Sequence, residues 1–180
     1  MPRRQKSTEE LKETLKDLDY EVWMLKRTAE ILNVNKPNLA DETSRVIHNA
    51  LLESSMIHAR SLIDFLYDEN PSDSDVVAND FFDDPSDYRS ARDPMTDLLR
   101  TVPHRVGKEI AHLTYDRLGK APEQRTWPAM QIAVDIDVRL ADFKWMLPGR
   151  FANAMPEFTS TTEVSGPVTE VASKGRPGGK

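Results

Sequence analysis

The sequence predicts an all-α protein, an up-and-down bundle of four main helices with a long acidic loop between the second and third. Three observations carry this. Long apolar stripes recur at spacings of three and four residues, the alternation of period two that marks strands is absent, and the stripes are separated by stretches rich in Pro, Asp and Asn. With 180 residues, the chain is long enough for one domain with a real core and polar ends. The expected division is a flexible N-terminus over residues 1–6, the bundle over 7–148 and a disordered C-terminal tail over 149–180.

The first helix opens on Ser7-Thr8-Glu9-Glu10, a capping box, followed by Leu11, Leu15, Leu18, Val22, Leu25, Ala29 and Leu32. The mean spacing of 3.5 residues suits lengthwise packing in a bundle, and residues 33–40 form the break. A second helix is expected from about Thr43 to Leu66, where Ile47, Leu51, Ser54, His58, Leu62 and Phe65 share a face. Residues 67–93 read as a long connection, with a short helical turn around Val76 to Phe82. Pro94 to Thr101 and Pro103 to Leu118 read as two helices, each with Pro in its first turn, the second stopped by Gly119. Trp127-Pro128 opens the last helix, which runs to about Leu147 on a stripe of Ala129, Ile132, Ile136, Leu140, Phe143 and Leu147. Beyond Pro148, Ser, Thr, Gly and Pro dominate and periodicity ends, which predicts the disordered tail.

Composition excludes several classes of function. With no Cys there are no disulfides, thiolate metal sites or Cys nucleophiles. The formal net charge of -6 argues against a general nucleic-acid coat. No apolar run approaches a membrane span, and the first ten residues lack the apolar core of a signal peptide, so a cytoplasmic protein with no membrane partner is expected. No two histidines stand four apart, and Asp73-Ser74-Asp75 lacks the Gly and the terminal Glu of a calcium loop, so neither metal nor other cofactor is expected. Charge is unevenly placed. Residues 64–97 hold eleven acids against Arg89 and Arg92, whereas over 100–126 six basic residues outnumber Glu109, Asp116 and Glu123.

Within that basic stretch, Arg105 and His112 stand seven residues apart. In a continuous helix, seven steps return the second side chain to within about 20° of the first and about 10 Å along the axis. An arginine can stabilise charge developing on a phosphoryl group, and a neutral imidazole can take a proton from a ribose hydroxyl near pH 7. Lys108 and Tyr115 flank this stripe as binding candidates. The structural alternative is two ordinary pairs four residues apart, Arg105 with Glu109 and His112 with Asp116. His58, in the stripe of the second helix between Ser54 and Ser61, reads as a partly buried histidine bonded to a neighbouring helix, or as a polar notch opening at a subunit interface where it would join the binding residues.

The segments Ala50-Leu-Leu-Glu-Ser-Ser-Met-Ile-His-Ala-Arg-Ser-Leu-Ile-Asp-Phe65 and Arg105-Val-Gly-Lys-Glu-Ile-Ala-His-Leu-Thr-Tyr-Asp-Arg117 resemble a set of small uncharacterised bacterial proteins. These in turn resemble the HEPN superfamily (higher eukaryotes and prokaryotes nucleotide-binding). The similarity spans roughly residues 10–147. HEPN domains are helical bundles, often homodimeric, and many are metal-independent ribonucleases of toxin or defence systems, with a signature of Arg, four to six residues, then His. By that resemblance Arg105 would stabilise the phosphorane and His112 would activate the ribose 2′-hydroxyl. The expected function is thus a metal-independent endoribonuclease, a homodimer with RNA or nucleotide as ligand and an antitoxin or other regulatory protein as partner. The alternative is a non-catalytic nucleotide-binding or protein-interaction module on the same fold.

Overall fold

The computed structural model describes residues 4–35, 37–38, 40–115, 118, 121, 125–157 and 171–172. Among them the protein is all-α, as its sequence predicts. Helix α1 spans Thr8–Val34, α2 Glu42–Tyr67, α3 Pro85–Ala91, α4 Asp97–Val106 and α5 Ala129–Met146. The two short strands β1 (Thr126–Trp127) and β2 (Val171–Ala172) form one antiparallel pair, with Thr126 opposite Ala172. No described helix is long and apolar enough to cross a membrane.

Capping explains where the long helices start. The Ser7 hydroxyl accepts from the Glu10 amide at 3.2 Å while the Glu10 carboxylate accepts from the Ser7 amide at 2.8 Å. That hydrogen bonding holds the Glu10 carboxyl below its usual range. Asp41 caps α2 through the Ser44 amide at 2.6 Å. Helices α1 and α2 pack along one another, α5 lies against both, and α4 rests on α2 and α5. The face of α1 that meets them is the expected stripe from Leu11 to Leu32. On α2 the core face lies about one residue further on: His48, Leu52, Ser55, Ala59 and Leu62 are buried while Ile47 is exposed. A stripe containing both Ile47 and His58 therefore describes the edge of the buried face rather than its centre.

The segment expected to be an acidic loop is part of the core. It holds the expected helical turn, at Ala78–Phe81, and also α3, which begins with Asp84 capping Ser86 and Pro85 in the first turn. Phe81 and Tyr88 are buried, and with Phe65, Phe143 and Phe151 they build an edge-to-face aromatic cluster whose ring centres lie 5.2–6.1 Å apart. Such pairs add about 0.5–1.5 kcal/mol each beyond the area they bury.

Both expected domain ends shift. Lys6 donates to the Asp73 carbonyl at 3.1 Å and Arg4 pairs with Glu10, so the described residues before Ser7 are tied to the body. At the other end the packed body continues past 148. Gly149–Phe151 form a 3-10 turn, Phe151 is fully buried, Met155 is buried, and Arg150 donates to the Phe81 carbonyl at 3.2 Å. The rest of the expected tail, apart from β2, lies outside the described residues.

The third and fourth expected helices are replaced by one. Thr96 rather than Pro94 starts α4, its hydroxyl accepting from the Leu99 amide at 3.3 Å. Pro103 lies inside that helix, where it forfeits the bond to the Leu99 carbonyl and its ring crowds that same carbonyl. After Val106 the backbone widens into a π turn over Gly107–Ala111, closed by the His112 amide on the Gly107 carbonyl at 3.1 Å. The Thr114 hydroxyl then satisfies the Lys108 carbonyl at 2.8 Å, and at His112 the chain is already extended. Consequently Leu113, which a regular helix would carry on the apolar face of Val106 and Ile110, is 94% exposed.

Candidate functional site

The π turn breaks the geometry expected of Arg105 and His112. A wider turn changes the angular phase of every later residue, so His112 does not return to the Arg105 stripe, and it stands exposed after the helix has ended. The two side chains are separated by a change of backbone conformation rather than by two regular helical turns.

Arg105 is held from three directions. Its Nε donates to Glu109 Oε1 at 2.9 Å and one terminal nitrogen donates to Glu109 Oε2 at 3.1 Å, a two-pronged pair four residues apart. The same nitrogen reaches the Thr126 carbonyl at 3.1 Å. The guanidinium carbon sits 3.9 Å from the centre of the Trp127 ring, in cation–π range. Trp127 is buried and Glu109 nearly so. The cluster therefore pins the end of α4 to β1, the short strand that β2 flanks. Thus Arg105 pairs with Glu109 as the structural alternative predicts, while Asp116, the partner foreseen for His112, lies outside the described residues.

The other candidates are dispersed. Lys108 is half-buried within the π turn, and Tyr115 is exposed beyond His112. His58 sits on a different surface, between α2 and α1, where its Nδ1 lies 2.8 Å from Glu21 Oε2 and Tyr20 meets its ring edge-on at 5.8 Å. It is a half-buried histidine bonded to a neighbouring helix, and among the described residues it shares no partner with Arg105. Beside it is a broad outer surface of α1 and α2 bearing Tyr20, Trp23 and Val34 on one helix and Val46, Ile47 and Ile57 on the other, all exposed.

Sequence reasoning missed Trp127 as the platform for Arg105, because the two are 22 residues apart across a stretch without periodicity. It also missed a second ionic centre. Arg139 on α5 lies among Asp93, Asp135 and Asp142, and the Asp135 carboxylate also takes the Thr96 hydroxyl. Burial works against the charge of Arg139, but its hydrogen bond to Asp93 and the surrounding carboxylates prevail and raise its pKa. The sequence signal for this centre was faint: Asp135, Arg139 and Asp142 at helical spacing. Among the described residues no group of three or more His, Asp or Glu is placed to hold a metal. Comparison of the chain with family models, with characterised proteins and with solved structures gives no match.

Proposed function

We propose that this chain is a HEPN-like helical interaction module without RNA-cleaving activity, and that it pairs with a second copy. The observation that carries the reading is the engagement of Arg105. Its Nε and one of its two terminal nitrogens donate to Glu109 and the Thr126 carbonyl, and one face of its guanidinium is covered by Trp127. A phosphate would have to displace a nearly buried carboxylate and leave it unpaired, at a penalty of several kcal/mol. The arginine's role is to brace the end of α4.

The outer surface of α1 and α2 supplies the contact between copies. Six large apolar side chains, each about half exposed or more, present on the order of 500 Å² of apolar area in all, with the exposed Arg27 between Trp23 and Val34. With a polar rim this approaches the ~800 Å² per partner of a standard interface. Light scattering should give twice the chain mass, and Trp23→Glu combined with Ile47→Asp should give a monomer of unchanged helicity.

Labelled RNA incubated with the purified protein in excess chelator should stay intact. Products ending in a 2′,3′-cyclic phosphate, lost in both Arg105→Ala and His112→Ala, would replace this reading with the endoribonuclease, of a toxin or defence system under an antitoxin's control. One observation favours that second reading: His112 and Tyr115 are exposed on the segment that follows the Arg105 turn, where RNA or a nucleotide has access to them.

A further inference from the structure

Helix α5 carries a second apolar stripe on its outer side. Val134, Val138, Ala141 and Trp145 follow at alternating spacings of four and three residues behind the polar Gln131, and all five are exposed, Trp145 at 89%. The core is met by a separate set, Ile132, Ile136, Leu140 and Phe143. A helix with apolar residues on two sides is one designed to be covered on both. Along the first half of the outer stripe, Leu98 of α4 and Met130 combine with Val134 and Val138 to line an open groove. From Gln131 to Trp145 the stripe runs about 21 Å.

The charges beside the stripe define what covers it. A single guanidinium, that of Arg139, serves three carboxylates: Asp93 at 2.7 Å, Asp142 at 3.5 Å and Asp135 at 3.7 Å. Asp135 and Asp142 each follow a stripe residue directly, so both border the stripe on the same edge, and that edge keeps a surplus of negative charge. A second copy fits poorly. Laying α5 against α5 in antiparallel fashion, centred on Val138, sets Asp135 of one copy beside Asp142 of the other, twice. The antiparallel arrangement juxtaposes like charges across a seam where opposite charges favour pairing; a parallel one sets Asp142 beside Asp137, a carboxylate already paired with the buried Lys26 at 2.8 Å.

We propose that this stripe and groove receive an amphipathic helix of another protein, with apolar residues at the same three-and-four spacing and Lys or Arg along the edge that meets Asp135 and Asp142. The apolar contact supplies most of the affinity and the acidic edge fixes orientation and excludes acidic helices. The inference rests on the reading of the chain as an interaction module. It concerns a surface other than that of α1 and α2, so the dimer test and the helix-binding test give separate outcomes.

The probe is a fluorescein-labelled, side-chain-stapled helix of about 16 residues, enough to cover the stripe, with leucines at three-and-four spacing and lysines on both edges. Its twin carries glutamates in place of the lysines. The lysine helix should bind the full chain saturably and the glutamate helix at least ~10-fold more weakly, the difference shrinking as salt rises. Val138→Lys and Trp145→Ala, both at exposed positions where the fold has little at stake, should each weaken binding of the lysine helix about 10-fold or more. Asp142→Asn should weaken the lysine helix and spare the glutamate helix. The proposal is overturned if neither helix binds, if both bind alike, or if Val138→Lys and Trp145→Ala leave binding unchanged. It is also overturned if the protein is a dimer that Val138→Lys dissolves, which would assign the stripe to a second copy.

Discussion

Arg105 illustrates how one side chain changes meaning with its surroundings. On the sequence it is a cation seven residues before a histidine. In the fold it is a planar fork that fits a carboxylate, a carbonyl and an indole face at once. Lysine keeps the charge but has neither the fork nor the flat face, so Arg105→Lys should lower unfolding free energy by about 1–2 kcal/mol in urea titrations. An arginine reserved for substrate would leave stability unchanged on that substitution. Its pairing with Glu109 was legible because four-residue spacing is a local property of helices. Its place on Trp127 was not, because that contact is made only by tertiary folding. His48 carries a second residue-scale prediction. Burial holds its imidazole below the ordinary value of 6.5, so on acidification the unfolded chain binds the proton first. Its stabilising contribution is complete above about pH 6.5 and is lost as pH falls towards the lower folded value. The urea midpoint should therefore fall less between about pH 7.5 and 5 in His48→Gln than in the parent protein.

At the scale of elements, the stripes of α1 and α5 were readable because each spans several turns, and a long periodic signal outweighs errors at its ends. The stretch from Pro94 to Leu118 was not. Two prolines suggested two helix starts, yet Thr96 supplies a better cap than either, and the residue it caps, Leu99, is fully buried. The π turn that follows left no mark in the residue pattern, and it is what parts His112 from Arg105. Thr96 also donates to Asp135, tying the start of α4 to α5. Thr96→Ala should accordingly cost about 1–2 kcal/mol, measured by chemical denaturation, whereas Thr96→Ser should retain most of the stability. Helix α3 was signalled by Asp84-Pro85, a cap followed by a first-turn proline, but the acidic composition around it masked that signal. The outer stripe of α5 was also open to view in the sequence. It went unread because the core stripe had already accounted for the helix.

On the scale of the whole molecule, the body closes with a residue that composition assigns to a disordered tail. Phe151 packs against Phe81 at 5.2 Å between ring centres, and Arg150 secures the same turn through Asp83 and the Phe81 carbonyl. Phe151→Ala should therefore lower stability by about 3–5 kcal/mol, and a chain ending at Gly149 should show a clearly lower melting temperature, both measurable by circular dichroism. An unchanged melting temperature in the shortened chain would mean that the turn contributes nothing to the core. Aromatic residues from four separate stretches, Phe65, Phe81, Phe143 and Phe151, meet in this one cluster, which gives the order of synthesis a physical weight. On the ribosome, α1 and α2 emerge with Phe65 facing a socket whose other walls do not yet exist. At about 5–20 residues per second, the roughly 80 residues that follow α2 occupy some 4–16 s before Phe151 can close it. Throughout that interval the nascent chain displays an open aromatic surface, the kind of feature that recruits a chaperone.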